Sequence, residues 1–262
     1  MQEEVLLLDL PARQDVDATG AADTPCAQCK SRGLCWPSDL DPGALERVGR
    51  AVLARRTVKQ GEVLIHQGER FQNVYAIQSG FFKTVVISSD GREQITGFQM
   101  TGEFVGLDGI ERDQHSCAAV ALEDSEVCAL PFVRLEALAR EMDVLQRHLH
   151  RVLSQDIVVK SNAMLLLSSI RGDKRLASVL INLAQRLHAR GFPATELDLR
   201  MTRMDLSNFV CLKYETVSRI LSQLVADGIL EIRRRHVRIL DHAALTQLAS
   251  LQARGSVPRT VP

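Results

Sequence analysis

Aromatic side chains are scarce in this 262-residue chain, at 4% with one Trp and two Tyr, so Leu, Val and Ile must supply most of any core. Nothing approaches the roughly 20 consecutive apolar residues that cross a bilayer. The short apolar run Val5–Leu8 follows Glu3 and Glu4 rather than the basic residues of a secretory signal. The chain is therefore expected to be cytoplasmic, with no membrane partner. It has no phosphate-cradling Gly-x-x-x-x-Gly-Lys loop, no His-Glu-x-x-His and no nucleophile elbow, which argues against an enzyme. Net charge is absent too, 32 Lys and Arg balancing 32 Asp and Glu, but the balance hides an asymmetry. Residues 171–240 carry 13 Lys and Arg against 7 Asp and Glu, and the remainder carries 19 against 25. A basic segment of that size suits a polyanion such as DNA.

Among the six cysteines, three crowd one ten-residue run, with two residues between Cys26 and Cys29 and five between Cys29 and Cys35. In a cytosolic chain such spacing favours metal ligation or small buried hydrophobes over a disulfide framework. Thiolates suit zinc, copper(I) or iron–sulfur clusters, and Cys-x2-Cys is the usual close spacing for two sulfurs on one site. A fourth ligand must come from elsewhere, and Cys117, Cys128 and Cys211 are the candidates. A Cys-x-x-Cys redox enzyme would need a βαβ context, whereas this run precedes a helix and a series of hairpins.

Residues 1–40 read as a polar leader in which Pro and small polar residues argue against regular structure. A helix is expected from Asp41 to Ala54, with Leu45, Val48, Val52 and Leu53 at helical spacing. From Thr57 to Pro131, apolar runs at Val63–Ile65, Val74–Ile77, Thr84–Ile87 and Ile95–Phe98 are separated by Gly61, Gly68, Gly80, Gly91 and Gly102. That punctuation implies an antiparallel sandwich or barrel, so residues 41–134 form the expected sensor domain. Residues 135–171 are expected to be one long helix with two apolar stripes. Leu149, Leu153, Ile157, Met164 and Leu167 form the first, interrupted by Lys160; Met142, Leu145, Val152, Val159, Ala163, Leu166 and Ile170 form the second. A single protomer covers one stripe, and the other is expected to face a second copy across a two-fold axis, where the two Lys160 ammonium groups would repel.

Residues 172–250 form the basic segment's domain, and 251–262 are expected to be a flexible tail. A helix over 173–190 is stopped by Gly191 and Pro193. Thr202 and Asp205 then have capping-box spacing, with Asp in place of the usual Glu, so a helix should begin just after Thr202. A second helix runs from Tyr214 to Asp227, with Val217, Ile220, Leu221 and Leu224 packing inward and Glu215, Ser218 and Arg219 facing out near its N-terminus. A recognition helix places base-reading side chains there, and Arg can grip guanine, Glu the cytosine amino group, and Ser either role. The segments Ile229–Ile232 and Val237–Leu240 alternate like two strands of a wing around Arg233, Arg234, Arg235 and His236, basic enough to hold phosphate.

The order barrel, long helix, winged helix resembles the CRP/FNR family of bacterial transcription regulators, and most closely its oxygen-sensing FNR type. The residues that carry the resemblance are the Cys26, Cys29, Cys35 run, Glu93–Phe98, Val127–Phe132, Met164–Ser168 and Glu215–Arg219. It implies an α+β fold with an N-terminal cyclic-nucleotide-binding-like β-barrel (jelly roll), a dimerisation helix and a C-terminal winged helix-turn-helix. It further implies that Cys128 is the fourth ligand, and that Cys26, Cys29, Cys35 and Cys128 hold a [4Fe–4S] cluster. The family's homodimer binds double-stranded DNA at a palindromic promoter site like TTGAT–N4–ATCAA, with Glu215, Ser218 and Arg219 matching its base-reading residues. The loop Ser88–Arg92 and the neighbourhood of Ser79 match its contacts with RNA polymerase. This sequence departs from the pattern at Lys160, where the FNR seam is acidic, at Lys30 after the second ligand, and at Cys211 and Lys213, which replace the turn Gly and the helix N-cap. Spacing also admits structural zinc or a Cys26–Cys29 redox disulfide. A haem or nitric-oxide sensor could use His66 or His115. Cyclic-nucleotide receptors of this fold keep Gly-Glu and an Arg-Ser or Arg-Thr pair for the cyclic phosphate; here Gly102 and Glu103 are present, but His115 stands in the Arg position beside Ser116, and imidazole cannot replace a bidentate guanidinium.

Overall fold

The computed structural model describes residues 26–169 and 171–249. The Val5–Leu8 run, Ile170 and the tail 251–262 lie outside the described residues, as do the side chains of Ala163, Leu166 and Leu167. Among the described residues no helix is long and apolar enough to cross a membrane.

Two four-stranded antiparallel sheets face each other. One has the order β1 (Ala54–Val58), β8 (Ser125–Pro131), β3 (Asn73–Ser79), β6 (Phe104–Val105); the other runs β2 (Val63–Ile65), β7 (Ala118–Ala121), β4 (Phe81–Ile87), β5 (Glu93–Met100). Val58, Leu64, Ile77, Phe82, Val105 and Val127 fill the space between them. Successive residues of a strand point to opposite faces, so beside inward Val127 stands outward Cys128. Both are buried because each outer face of the sandwich is also covered.

The first sheet's outer face carries the leader and three helices, α2 (Pro42–Ala51), α3 (Phe132–Glu141) and the start of α4 (Asp143–Ser169), packed through Leu45, Val48, Leu135 and Leu145. The leader is more regular than its Pro and polar residues suggest, with a 3-10 turn at Cys26–Gln28 and a short helix, α1, at Arg32–Cys35. Asp41 caps α2, its side chain accepting from Ala44 N at 2.9 Å with Pro42 in the first turn. That helix ends at Ala51, short of the expected Ala54, which already lies in β1 and pairs with Ala129 of β8. The long helix expected over 135–171 is two helices, because Met142 is extended (φ −131°) and breaks the run.

The second sheet's outer face, with Phe81, Val85, Ile95 and Phe98, shares one core with the C-terminal helices. These are α5 (Gly172–His188), α6 (Arg203–Phe209), α7 (Tyr214–Ala226) and α8 (His242–Ala249). The wing is present as β10 (Leu230–Arg233) and β11 (His236–Ile239), joined by Arg234 and Arg235, with Arg234 at φ +59°. A third wing strand, β9 (Glu196–Asp198), pairs with β11 and was not expected. The capping box is formed: Thr202 Oγ1 accepts from Asp205 N at 3.0 Å, and Asp205 accepts from Thr202 N at 2.8 Å.

Polar ties fasten α6 to the barrel. Lys83 Nζ donates to Asp205 at 2.7 Å. Asn208 acts as a surrogate strand partner for β5, the outer strand of its sheet: its Nδ2 donates to Glu93 O at 2.8 Å, and its Oδ1 accepts from Ile95 N at 2.6 Å. Glu103, after β5, binds Arg186 of α5 and Arg190 in the turn that follows it.

Candidate metal centre and nucleic-acid interface

Cys26, Cys29, Cys35 and Cys128 line one cavity. Its floor is the outer face of the first sheet, where Arg55 and Ala76 stand directly opposite Cys128 on either side, with Gln78 and Leu130 beside them. Its lid is the leader, folded by short-range bonds such as Cys29 N to Cys26 O at 3.2 Å and Cys35 N to Ser31 O at 3.0 Å. Ser31 Oγ fastens the lid to the floor by donating to Gln78 O at 2.6 Å. Gly102 lets the loop after β5 approach the lid closely: its φ is +86°, and a Cβ there would collide with Leu34.

Burial pushes the Cys35 thiol up to about 12, with the neighbouring Cys128, Cys29 and Cys26 adding to the effect. Burial likewise raises Cys128 to about 11, opposed by Arg55. The Cys35 and Cys128 thiols are therefore protonated at neutral pH until a metal binds and displaces their protons. Among the described residues no three His, Cys, Asp or Glu side chains converge closely enough to hold a single ion; the four thiols surround a space instead.

The other two cysteines lie elsewhere. Cys117 N donates to Asp108 at 3.1 Å, and exposed Cys211 sits in the helix-turn-helix turn with its Sγ 3.5 Å from Gln94 Oε1. Cys211 has φ +51°, where Gly fits without strain, and Lys213 gives α7 no side-chain cap.

The groups that a cyclic phosphate would need are engaged internally. Asp108 accepts from Ser116 N at 2.7 Å, Ser116 Oγ at 3.1 Å and Cys117 N, with His115 Nδ1 at 3.4 Å. Burial alone would raise its pKa, but His115 and these backbone amides outweigh that and hold it well below the usual carboxylate range. An internal carboxylate thus occupies the donors, while Glu103 is spent on Arg186 and Arg190. His66 is exposed and His115 is buried against Phe71, 5.5 Å between ring centroids.

Sequence reasoning missed a link between the lid and α4. His148 Nε2 lies 3.0 Å from Cys35 O, and its ring packs against Trp36 (5.8 Å) and Phe104 (6.3 Å). Only the shortage of aromatics, which makes a lone Trp beside Cys35 conspicuous, hinted at it. The expected seam residues divide. Leu149 packs against the protomer's own core and Leu153 is half-buried, whereas Ile157 is 65% and Met164 69% exposed. Lys160 pairs with Asp156 one turn back at 2.6 Å, an arrangement that favours the helix and offsets the charge expected to repel its counterpart.

On α7, Glu215 and Arg219 are exposed, and Val217, Leu221 and Leu224 are buried as expected. Ser218 differs: it is half-buried, and its Oγ has no hydrogen-bond partner. Not all the basic domain's charge faces outward, because Arg186, Arg190 and Arg200 pair with Glu103 and Glu123 of the barrel, and Arg175 donates to Val210 O.

Residues 55–142 match the cyclic nucleotide-binding domain family and residues 174–248 the Crp-like helix-turn-helix domain family. The chain is 40% identical over 224 residues to the transcriptional activator protein FnrA of Stutzerimonas stutzeri, covering 86% of this chain and 92% of that protein. It is 35% identical over 246 residues to the fumarate and nitrate reduction regulatory protein of Vibrio cholerae, covering 94% and 98%. Among solved structures, FixK2 from Bradyrhizobium japonicum superposes with a TM-score of 0.70 at 28% identity, covering 76% of this chain and 98% of that one. These likenesses, joined to a barrel and winged helix in this order, place the chain in the CRP/FNR family of DNA-binding transcription regulators, as a member of the FNR type and not an enzyme.

Proposed function

We propose that the protein is an oxygen-responsive, cytoplasmic regulator of anaerobic metabolism in which Cys26, Cys29, Cys35 and Cys128 hold a [4Fe–4S] cluster. The observation that carries this reading is that three thiols of the leader and one from β8, over 90 residues away in sequence, line a single cavity. Each iron of such a cluster takes one thiolate, so four cysteines lining one cavity supply a full ligand set. When bound, the cluster supplies an oxygen-labile redox centre. The chain's own residues do the rest. Arg55, opposite Cys128, offsets the charge of four thiolates; the lid and Trp36 limit water; and the lid supports the first turns of α4. The exposed stripe from Ile157 to Met164 is the homodimer seam. A dimer presents two α7 helices, so a filled site that favours the dimer must also favour a palindromic DNA site with two half-sites. Glu215, Ser218 and Arg219 read bases there, the Arg233–Arg235 tip holds phosphate, and the exposed Ser88–Arg92 turn meets RNA polymerase.

Protein purified without air is expected to be brown, with broad visible absorbance, bound iron and acid-labile sulfide, and to bleach in air. A colourless anaerobic preparation with stoichiometric zinc would overturn the cluster. Arg219→Ala tests the reading face separately. It should lower discrimination at the matching guanine by about 1–3 kcal/mol. Binding isotherms showing the same preference for intact over altered half-sites would remove Arg219 from that role.

A further inference from the structure

We propose that His148 couples the thiol site to the dimer seam: by holding the Cys35 carbonyl it joins the ligand-bearing lid to the helix that carries the apolar stripe. This rests on the cluster reading above and adds the residue through which filling of the site reaches the second subunit.

The geometry divides α4 into two parts. Its first turns are seated on the barrel, with Leu145 fully buried and Leu149 and Val152 packed against the core that contains Cys26, Cys35, Trp36 and Cys128. Beyond Asp156 the helix projects Ile157, Val158, Val159 and Met164 into solvent. The extended Met142 frees α4 from the direction of α3, so what the helix rests on decides where the stripe points. His148 lies at the middle of that seat. It reaches Cys35 O, 113 residues away in sequence, at 3.0 Å, and is enclosed by Trp36 and Phe104. Cys35 is the last ligand of the lid. A cluster shared by the three lid sulfurs and Cys128 adds a tie between lid and floor, and so holds the Cys35 carbonyl under the imidazole more firmly than the Ser31 bond does alone. A single buried hydrogen bond is of the size that shifts an association equilibrium about tenfold.

The test measures dimer dissociation constants by sedimentation, anaerobically for iron-replete protein and again after iron removal. The variants are His148→Ala and His148→Gln, whose amide can also donate to a carbonyl. Iron-replete His148→Ala is expected to dimerise about tenfold more weakly than wild type. The iron-free forms should differ by much less, and His148→Gln should recover most of the loss. Linkage supplies a second readout. If the filled site favours the dimer, the dimer protects the filled site, so wild-type bleaching in air slows as protein concentration rises, and His148→Ala should need about tenfold more protein for the same slowing. Equal weakening with and without iron would reduce His148 to a packing residue, and an unchanged constant in the iron-replete alanine variant would refute the coupling outright. If His148→Ala loses iron on purification, His148→Leu, which fills the space without a donor, carries the same expectation. Wild-type protein that takes up no iron or sulfide would instead refute the cluster reading, an outcome plainly separate from iron-replete variants with unchanged dimerisation.

Discussion

Cys128→Ser should leave a folded barrel with little bound iron and an anaerobic affinity for a two-half-site DNA reduced to the non-specific level, on the order of 10³-fold weaker. Serine nearly matches cysteine in size, and position 128 lies on the outer face of β8 rather than in the inter-sheet core, so packing changes little. What is lost is a soft anionic ligand, which a hydroxyl does not replace at neutral pH. The floor of the cavity then offers no sulfur, and the three lid thiols have nothing to bridge to. Cys117→Ser and Cys211→Ser are the controls, because those residues lie against Asp108 and Gln94. Iron and sulfide analysis with anisotropy titrations under argon would decide it. Wild-type iron content and half-site binding in Cys128→Ser would exclude Cys128 as a ligand.

Ile157→Glu should give an iron-replete monomer whose affinity for the same DNA is more than about 100-fold weaker. In the protomer the side chain is 65% exposed, so a carboxylate there is solvated and the fold is undisturbed. Across a two-fold axis the substitution would bring two carboxylates into an apolar seam, where each loses water without gaining a partner. Leu149 would behave differently, since it packs on its own barrel and truncating it acts on folding rather than association. Sedimentation with iron analysis separates the two effects. A dimer of unchanged strength in Ile157→Glu would move the seam off this stripe.

Local signals in the sequence were reliable where neighbouring residues determine the outcome. The Thr202–Asp205 capping box, the two strands of the wing and the buried face of α7 all follow from spacing of a few residues. Gly102 marked a turn, and its need to admit Leu34 became visible only with the lid in place. The break at Met142 was hidden because no Gly or Pro marks it, and Asp143 in the first turn of α4 is its one local sign. Three-residue β9 was too short to show alternation. The contacts that give the site its meaning were least legible. His148 with Cys35, Arg55 opposite Cys128, Asp108 under Ser116 and Glu103 between two arginines depend on sheet register and helix docking, which single positions do not encode. The leader showed that sulfurs gather, whereas the choice of Cys128 as fourth ligand rested on family resemblance, and its place in the same cavity depends on the register of β8.

An open strand is a template on which another chain can add, and natural sheets guard such borders. In this protein the guard is Asn208, whose amide engages Glu93 O and Ile95 N of β5 from a helix of the other half of the molecule. Phe81, Val85, Ile95 and Phe98 are shielded by the same docking. The DNA-reading half therefore also keeps the barrel soluble: cut away at residue 172, the barrel would bare an unpaired border beside an oily face and would aggregate by accreting copies of itself.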